Sequence, residues 1–99
     1  MSAAALSVLQ AIADGVQYGF DVIDRTGLPS GTVYPALSRL ERDGFVRSAW
    51  ENADAAHQQG RPARRYYRIT TPGTRILAET LDYYRSLIPL IPARKAGHP

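Results

Sequence analysis

Arg61, Arg64, Arg65, Arg68 and Arg75 fall in a stretch from Ala55 to Ala78 that contains no acid. Guanidinium groups without local neutralisation suit a polyanion, because the planar fork of N–H donors matches phosphate and the O6/N7 edge of guanine. The plain alternative is a charged segment kept in solution by its arginines. A second polar group lies earlier. Thr32, Pro35, Ser38, Arg39 and Arg42 fall on one face of a helical repeat, and the first acid at its margin is Asp43. Ser30 precedes that repeat, and Tyr34 sits on its edge. Arg39 and Arg42 are the residues suited to read guanine. Thr32 and Ser38 suit phosphate as well as bases.

Other chemistries find no residues to carry them. The chain has no cysteine, so thiolate metal sites, cysteine nucleophiles and disulfides are excluded. His57 and His98 stand far apart with no acid pair beside them, which disfavours a metal site. There is no phosphate loop, no G-x-S-x-G elbow and no pair of carboxylates placed for acid–base work. A non-enzymatic protein without cofactors is expected. The 99 residues make one domain, at roughly 100–200 residues per domain. The net charge is +3 and the isoelectric point about 9.6, only mildly basic. No apolar run approaches the ~20 residues of a membrane span, and without a charged-then-apolar pattern at the start no leader is expected. No membrane contact and a cytoplasmic location are expected.

Positioning those arginines requires a scaffold, and the spacing predicts one. Ala3 to Ala13 reads as a helix with Leu6, Leu9 and Ala13 on one face and Ile12 beside them, ending at Gly15. Tyr18 to Thr26 reads as a second helix, closed by Gly27. Leu28 to Gly31 reads as a turn. Val33, Leu37, Leu40 and Gly44 then repeat at i, i+4, i+7 and i+11, one apolar stripe of a helix over Thr32–Asp43. Ser30 or Thr32 is expected to cap it, with Pro35 in or near the first turn.

Phe45 to Glu51 and Arg64 to Thr70 alternate as strands, joined by eleven polar or small residues, Asn52 to Pro62. A hairpin with a long loop-like tip is predicted. Tyr67 is expected in the core, Tyr66 outward, and Trp50 packed at the strand end. Thr70 or Thr71 should cap a last helix running to about Ile88, where Pro89 breaks it. A mobile tail, residues 89–99, is expected to follow.

That last helix carries two apolar stripes. Leu77, Leu81, Tyr84 and Ile88 form one; Ile76, Tyr83 and Leu87 form the other. One stripe can cover the small core, and the other would face water. A two-fold homodimer covers it, with Leu77, Leu81, Tyr84, Leu87 and Ile88 as the expected contacts. Helix, helix, helix, strand, strand, helix is the winged helix-turn-helix order, a mainly helical α+β fold that places one helix in the major groove.

Three segments resemble the PadR family of bacterial transcriptional regulators. Tyr18-Gly19-Phe20-Asp21-Val22 is similar to the family's H-G-Y-E-I. Ser30-Gly31-Thr32-Val33-Tyr34-Pro35-Ala36-Leu37, with Arg39-Leu40-Glu41 and Gly44-Phe45-Val46, is similar to S-x-G-T-L-Y-P-A-L-x-R-L-E-x-x-G-L-I. Gly60-Arg61-Pro62 through Arg68-Ile69-Thr70 and Gly73 is similar to G-R-P-x-R-R-Y-Y-R-L-T-x-x-G. The resemblance spans roughly Leu6 to Ala78. It implies a DNA-binding winged helix over 1–70, a dimerising helix over 71–88, and repression of a nearby promoter. It also implies, for many members, release by a small planar aromatic effector.

This chain departs from the pattern at Tyr18, where the family has histidine. Its short C-terminal region fits the small-size subgroup. The last helix has no tryptophan, so effector stacking would fall to Tyr83 or Tyr84. The expected DNA contacts are Ser30, Thr32, Tyr34, Pro35, Ser38, Arg39 and Arg42 on the helix, and Arg61, Arg64, Tyr66 and Arg68 on the hairpin. The rival reading is a winged helix that serves as a protein-interaction module.

Overall fold

A computed structural model describes residues 1–90. Helix α1 (Ala3–Ala13) starts where Ser2 Oγ accepts the Ala5 N–H at 3.1 Å. Its buried face is Ala5, Val8, Leu9, Ala11 and Ile12. Ala13, expected on that face, is exposed, and Leu6 is only partly covered. Helix α2 (Gly19–Thr26) ends at Gly27 in the left-handed conformation, φ 71°. Helix α3 (Ser30–Arg42) begins earlier than the spacing predicts. Pro29 occupies the N-cap position with extended backbone, so Ser30 is the first helical residue and neither Ser30 nor Thr32 caps. Pro35 therefore lies in the second turn. The carbonyl it leaves without an intrahelical donor is that of Gly31, which is exposed.

Val33, Ala36, Leu37 and Leu40 of α3 are buried against α1, α2 and the hairpin, and with Val8, Leu9, Val22, Val46 and Tyr67 they make the core. Strands β1 (Val46–Trp50) and β2 (Arg65–Ile69) pair antiparallel, with Val46 opposite Ile69 and Trp50 opposite Arg65. The link between α1 and α2 joins the far edge of β2. Tyr18 bridges Tyr66, and the Tyr67 N–H donates to Gln17 O at 2.7 Å. The hairpin tip differs from the expected loop. It folds into helix α4 (Ala53–Gln58), where Asn52 Oδ1 accepts the Ala55 N–H and Ala56 is buried.

Helix α5 (Thr71–Leu87) is anchored through Thr70. Its Oγ1 accepts the Gly73 N–H at 3.0 Å and donates to Gly44 O at 2.6 Å. The start of α5 thus docks on the α3–β1 turn. A single 3₁₀ turn, Ile88–Leu90, follows. From residue 91 the expected tail, with Lys95 and His98, lies outside the described residues.

Candidate nucleic-acid interface

The solvent face of α3 follows from its burial. With one stripe held in the core, Tyr34, Pro35, Ser38, Arg39 and Arg42 are exposed and Thr32 is half-covered. Pro35, Ser38 and Arg42 lie most nearly opposite the buried stripe, at about 100° per residue. Arg42 makes only a long contact with Asp43, 3.7 Å. Arg39 sits on one flank, bordering a cavity shared with Ser2, Asp43, Ile76 and Thr80, and makes no ion pair among the described residues. Tyr34 sits on the other flank, its ring against Gly19.

Glu41 ties that second flank to the hairpin. Ser48 Oγ donates to Glu41 Oε2 at 2.6 Å, Arg65 Nη2 to Oε1 at 3.3 Å, and Arg65 Nε to Ser48 Oγ at 2.8 Å. Trp50, expected to pack, is instead 65% exposed, with the Arg65 guanidinium 5.8 Å from its ring centroid. The reason is position: β1 outruns the core, so its last inward residue meets solvent.

The acid-free arginine segment is not acid-free in space. Glu51, just past β1, receives both terminal nitrogens of Arg61, Nη2 at 3.0 Å. It also accepts the Arg64 N–H at 2.8 Å, Arg64 Nε at 3.3 Å and the Tyr18 hydroxyl at 3.0 Å. The Arg61 pair, foremost, holds the Glu51 carboxyl far below the ordinary carboxylate range. The expectation that nothing neutralises Arg61 and Arg64 is therefore corrected. Arg61 is largely occupied. Arg64 lies over the Tyr18 ring at 3.8 Å and remains about half exposed. Arg68 is exposed and makes no ion pair among the described residues, beside a half-buried Tyr66. Sequence reasoning missed Glu51. The register carries the signal, because continuing the ladder past Trp50–Arg65 sets Glu51 opposite Arg64.

On α5 the stripes divide differently from the expectation. Leu77 is 7% exposed in the core of its own chain and offers no free face, while Leu81 is partly covered by that core. Tyr83, Tyr84 and Ile88 are exposed, and Leu87 is half-covered. Tyr83 and Tyr84 meet edge to face, centroids 5.6 Å apart. Among the described residues no helix is long and apolar enough to cross a membrane.

A helical core, an exposed third helix and a two-stranded hairpin define a winged helix-turn-helix, the fold of a class of DNA-binding proteins. Residues 8–79 match the model of the transcriptional regulator PadR-like family, and the chain belongs to that family of transcription regulators. The fold is similar to that of a PadR family transcription regulator from Clostridium difficile R20291, with TM-score 0.79 and 20% identity over 90% of this chain and 94% of that one. A PadR-like transcription factor from Bacteroides fragilis gives TM-score 0.74 and 23% identity over 87% and 84%. BpsR from Bordetella bronchiseptica, whose DNA binding is regulated by 6-hydroxynicotinic acid, gives TM-score 0.74 and 19% identity over 97% of this chain and 66% of that one. None of the curated proteins matches the sequence.

Proposed function

We propose that this regulator binds a two-fold operator in duplex DNA as a homodimer, in the cytoplasm, and represses transcription there. The observation that carries the reading is the exposed face of α3. Pro35, Ser38 and Arg42 project opposite a fully buried stripe, and the hairpin stands beside them. Such a helix fits the major groove, where Arg42 reads a guanine edge and Ser30, Thr32 and Arg39 contact flanking phosphates. Tyr34 borders the groove. Arg64 and Arg68 meet the backbone from the hairpin, with Tyr66 beside them. Arg61 acts indirectly, by holding Glu51.

In this reading residues 1–70 form the DNA-binding unit and 71–88 the dimerising helix. Tyr84, Leu87 and Ile88 supply the partner contact, with the partly covered Leu81 at its edge, because Leu77 is buried in its own core. An effector, if it is a planar aromatic acid like that of BpsR, would meet Tyr83 and Tyr84 where the two last helices join.

The test is fluorescence anisotropy of the gene's own upstream region, against random duplex, over a salt series. Binding that falls log-linearly with salt and prefers the upstream region supports the reading. A chain that binds neither duplex at low salt, yet captures acidic proteins, would be an interaction module instead.

A further inference from the structure

The hairpin sheet has one edge covered and one bare. On the β2 side the Tyr67 N–H donates to Gln17 O at 2.7 Å and Tyr18 bridges Tyr66, so the α1–α2 link closes that edge. Strand β1 forms the other. The Thr70 N–H donates to Phe45 O and the Glu51 N–H to Arg64 O. By the alternation of an antiparallel ladder, Arg47 and Ala49 then turn their backbone groups toward β2, and Val46, Ser48 and Trp50 turn theirs away from it. Among the described residues no backbone group meets those outward N–H and C=O groups. An edge of this kind is a template for another strand.

The usual guards are missing along it. Strand β1 holds no proline and no lysine, and its register with β2 runs without a bulge. A shallow, open cavity of about 430 Å³, bordered by Glu41, Val46, Arg47 and Ser48, leaves room beside its first half.

Charge selects the occupant. Arg47 is exposed on the outer face, stands opposite Arg68, and makes no ion pair among the described residues. The acids nearest the hairpin are engaged elsewhere, Glu41 by Arg65 and Glu51 by Arg61 and Arg64. Trp50 stands exposed at the end of the opposite face. A second copy of β1 would bring its own Arg47 to this positive face, and like charges across a strand pair destabilise it. A strand with an acid beside Arg47 and an apolar side chain beside Trp50 complements both faces.

We propose that the free edge of β1 docks an extended segment of a partner protein in which acidic and apolar residues alternate. The segment adds as an antiparallel strand, its backbone paired with Val46, Ser48 and Trp50. This docking does not depend on DNA binding.

The probe is a short fluorescein-labelled peptide of alternating glutamate and valine, followed by anisotropy and by the amide shifts of the isotope-labelled full chain. Saturable binding is expected, with shifts centred on Val46, Ser48 and Trp50. In the antiparallel arrangement the valine N–H groups face β1, so N-methylated valines should abolish binding while N-methylated glutamates should not. Arg47→Glu should weaken the peptide about fivefold, the weight of one cross-strand charge pair, and should favour a lysine–valine peptide instead. That variant sets an acid opposite Arg68 and should melt no lower than the parent. Absence of saturable binding overturns the proposal. So does binding that tolerates both methylated peptides, or a parent that takes the glutamate and lysine peptides equally. Sedimentation covers the remaining occupant: a parent dimer that the peptide splits assigns the edge to a second copy, and the proposal falls.

Discussion

The ring of Tyr34 on α3 rests against Gly19 at the start of α2, so closely that a Cβ on Gly19 would stand 2.5 Å from Tyr34 Cε1. Gly19 has no positive φ, so close approach, not backbone freedom, is what glycine provides there. Gly73 does the same at the start of α5, where a Cβ would collide with the backbone carbonyl of Phe45. The two contacts differ in what can yield. Tyr34 is an exposed ring that can swing away, while the Phe45 carbonyl accepts the Thr70 N–H.

Gly19→Ala is therefore expected to stay within about 1 kcal/mol of the parent, since helix propensity gained offsets the crowding. Gly73→Ala should reach the upper end of the ~1–3 kcal/mol cost of overpacking, or exceed it. Urea unfolding of both variants checks the contrast. Equal losses would mean that Tyr34 is as immobile as backbone.

Glu51 gives stability a direction with pH. Its carboxyl is held below its ordinary value by Arg61 first, with Arg64 and Tyr18 adding to the effect. A group with a lowered folded pKa stabilises the protein fully above its unfolded pKa, about 4.3 for Glu, and loses that contribution as pH falls below it. The melting temperature should accordingly drop on acidification below about pH 4.3. Glu51→Gln should lower it near neutral pH and flatten that acid limb. An unchanged acid limb in the variant would show that other carboxylates set it.

These two features also mark where the sequence was legible. The α3 stripe, the hairpin, Tyr67 in the core and the Thr70 cap follow from local period and cap chemistry, which short windows contain. Helix α4 was hidden in a polar stretch, although Asn52 three residues before Ala55 is a cap signal. The Arg61–Glu51 pair was hidden by distance along the chain, because the acid precedes the stretch that looked acid-free. Leu77 and Trp50 were misplaced because a stripe or an alternation says which residues share a face, not how far the core extends beneath it.

The end of α5 separates the proposed dimer contacts from core contacts. Tyr84→Arg or Ile88→Arg places a charge on an exposed apolar surface and should yield monomers with the parent's melting curve at matched dilution. Leu81→Arg strikes the chain's own core and should lower stability whatever the oligomeric state. Sedimentation and thermal melting decide it. A parent that sediments as a monomer at micromolar concentration removes the dimer from the functional reading.

Three arginines should fail in three distinguishable ways. Arg42 stands on the exposed face of α3 with only a 3.7 Å contact to Asp43, so its fork is free to meet a base edge. Arg42→Ala should cost about 1–3 kcal/mol on the upstream region and narrow its margin over random duplex. Arg64 already gives Nε to Glu51 and stacks on Tyr18, which leaves its terminal nitrogens to act as a positive charge. Arg64→Ala should weaken both duplexes alike and reduce the salt slope by about one ion. Arg61 has both terminal nitrogens on Glu51 and is about a quarter exposed, so in the proposed reading it positions the hairpin and leaves the phosphate to Arg64. Arg61→Ala should lower affinity through a loosened hairpin, with the salt slope unchanged and faster amide exchange in α4. A salt slope that falls with Arg61→Ala but not with Arg64→Ala would reverse the two assignments.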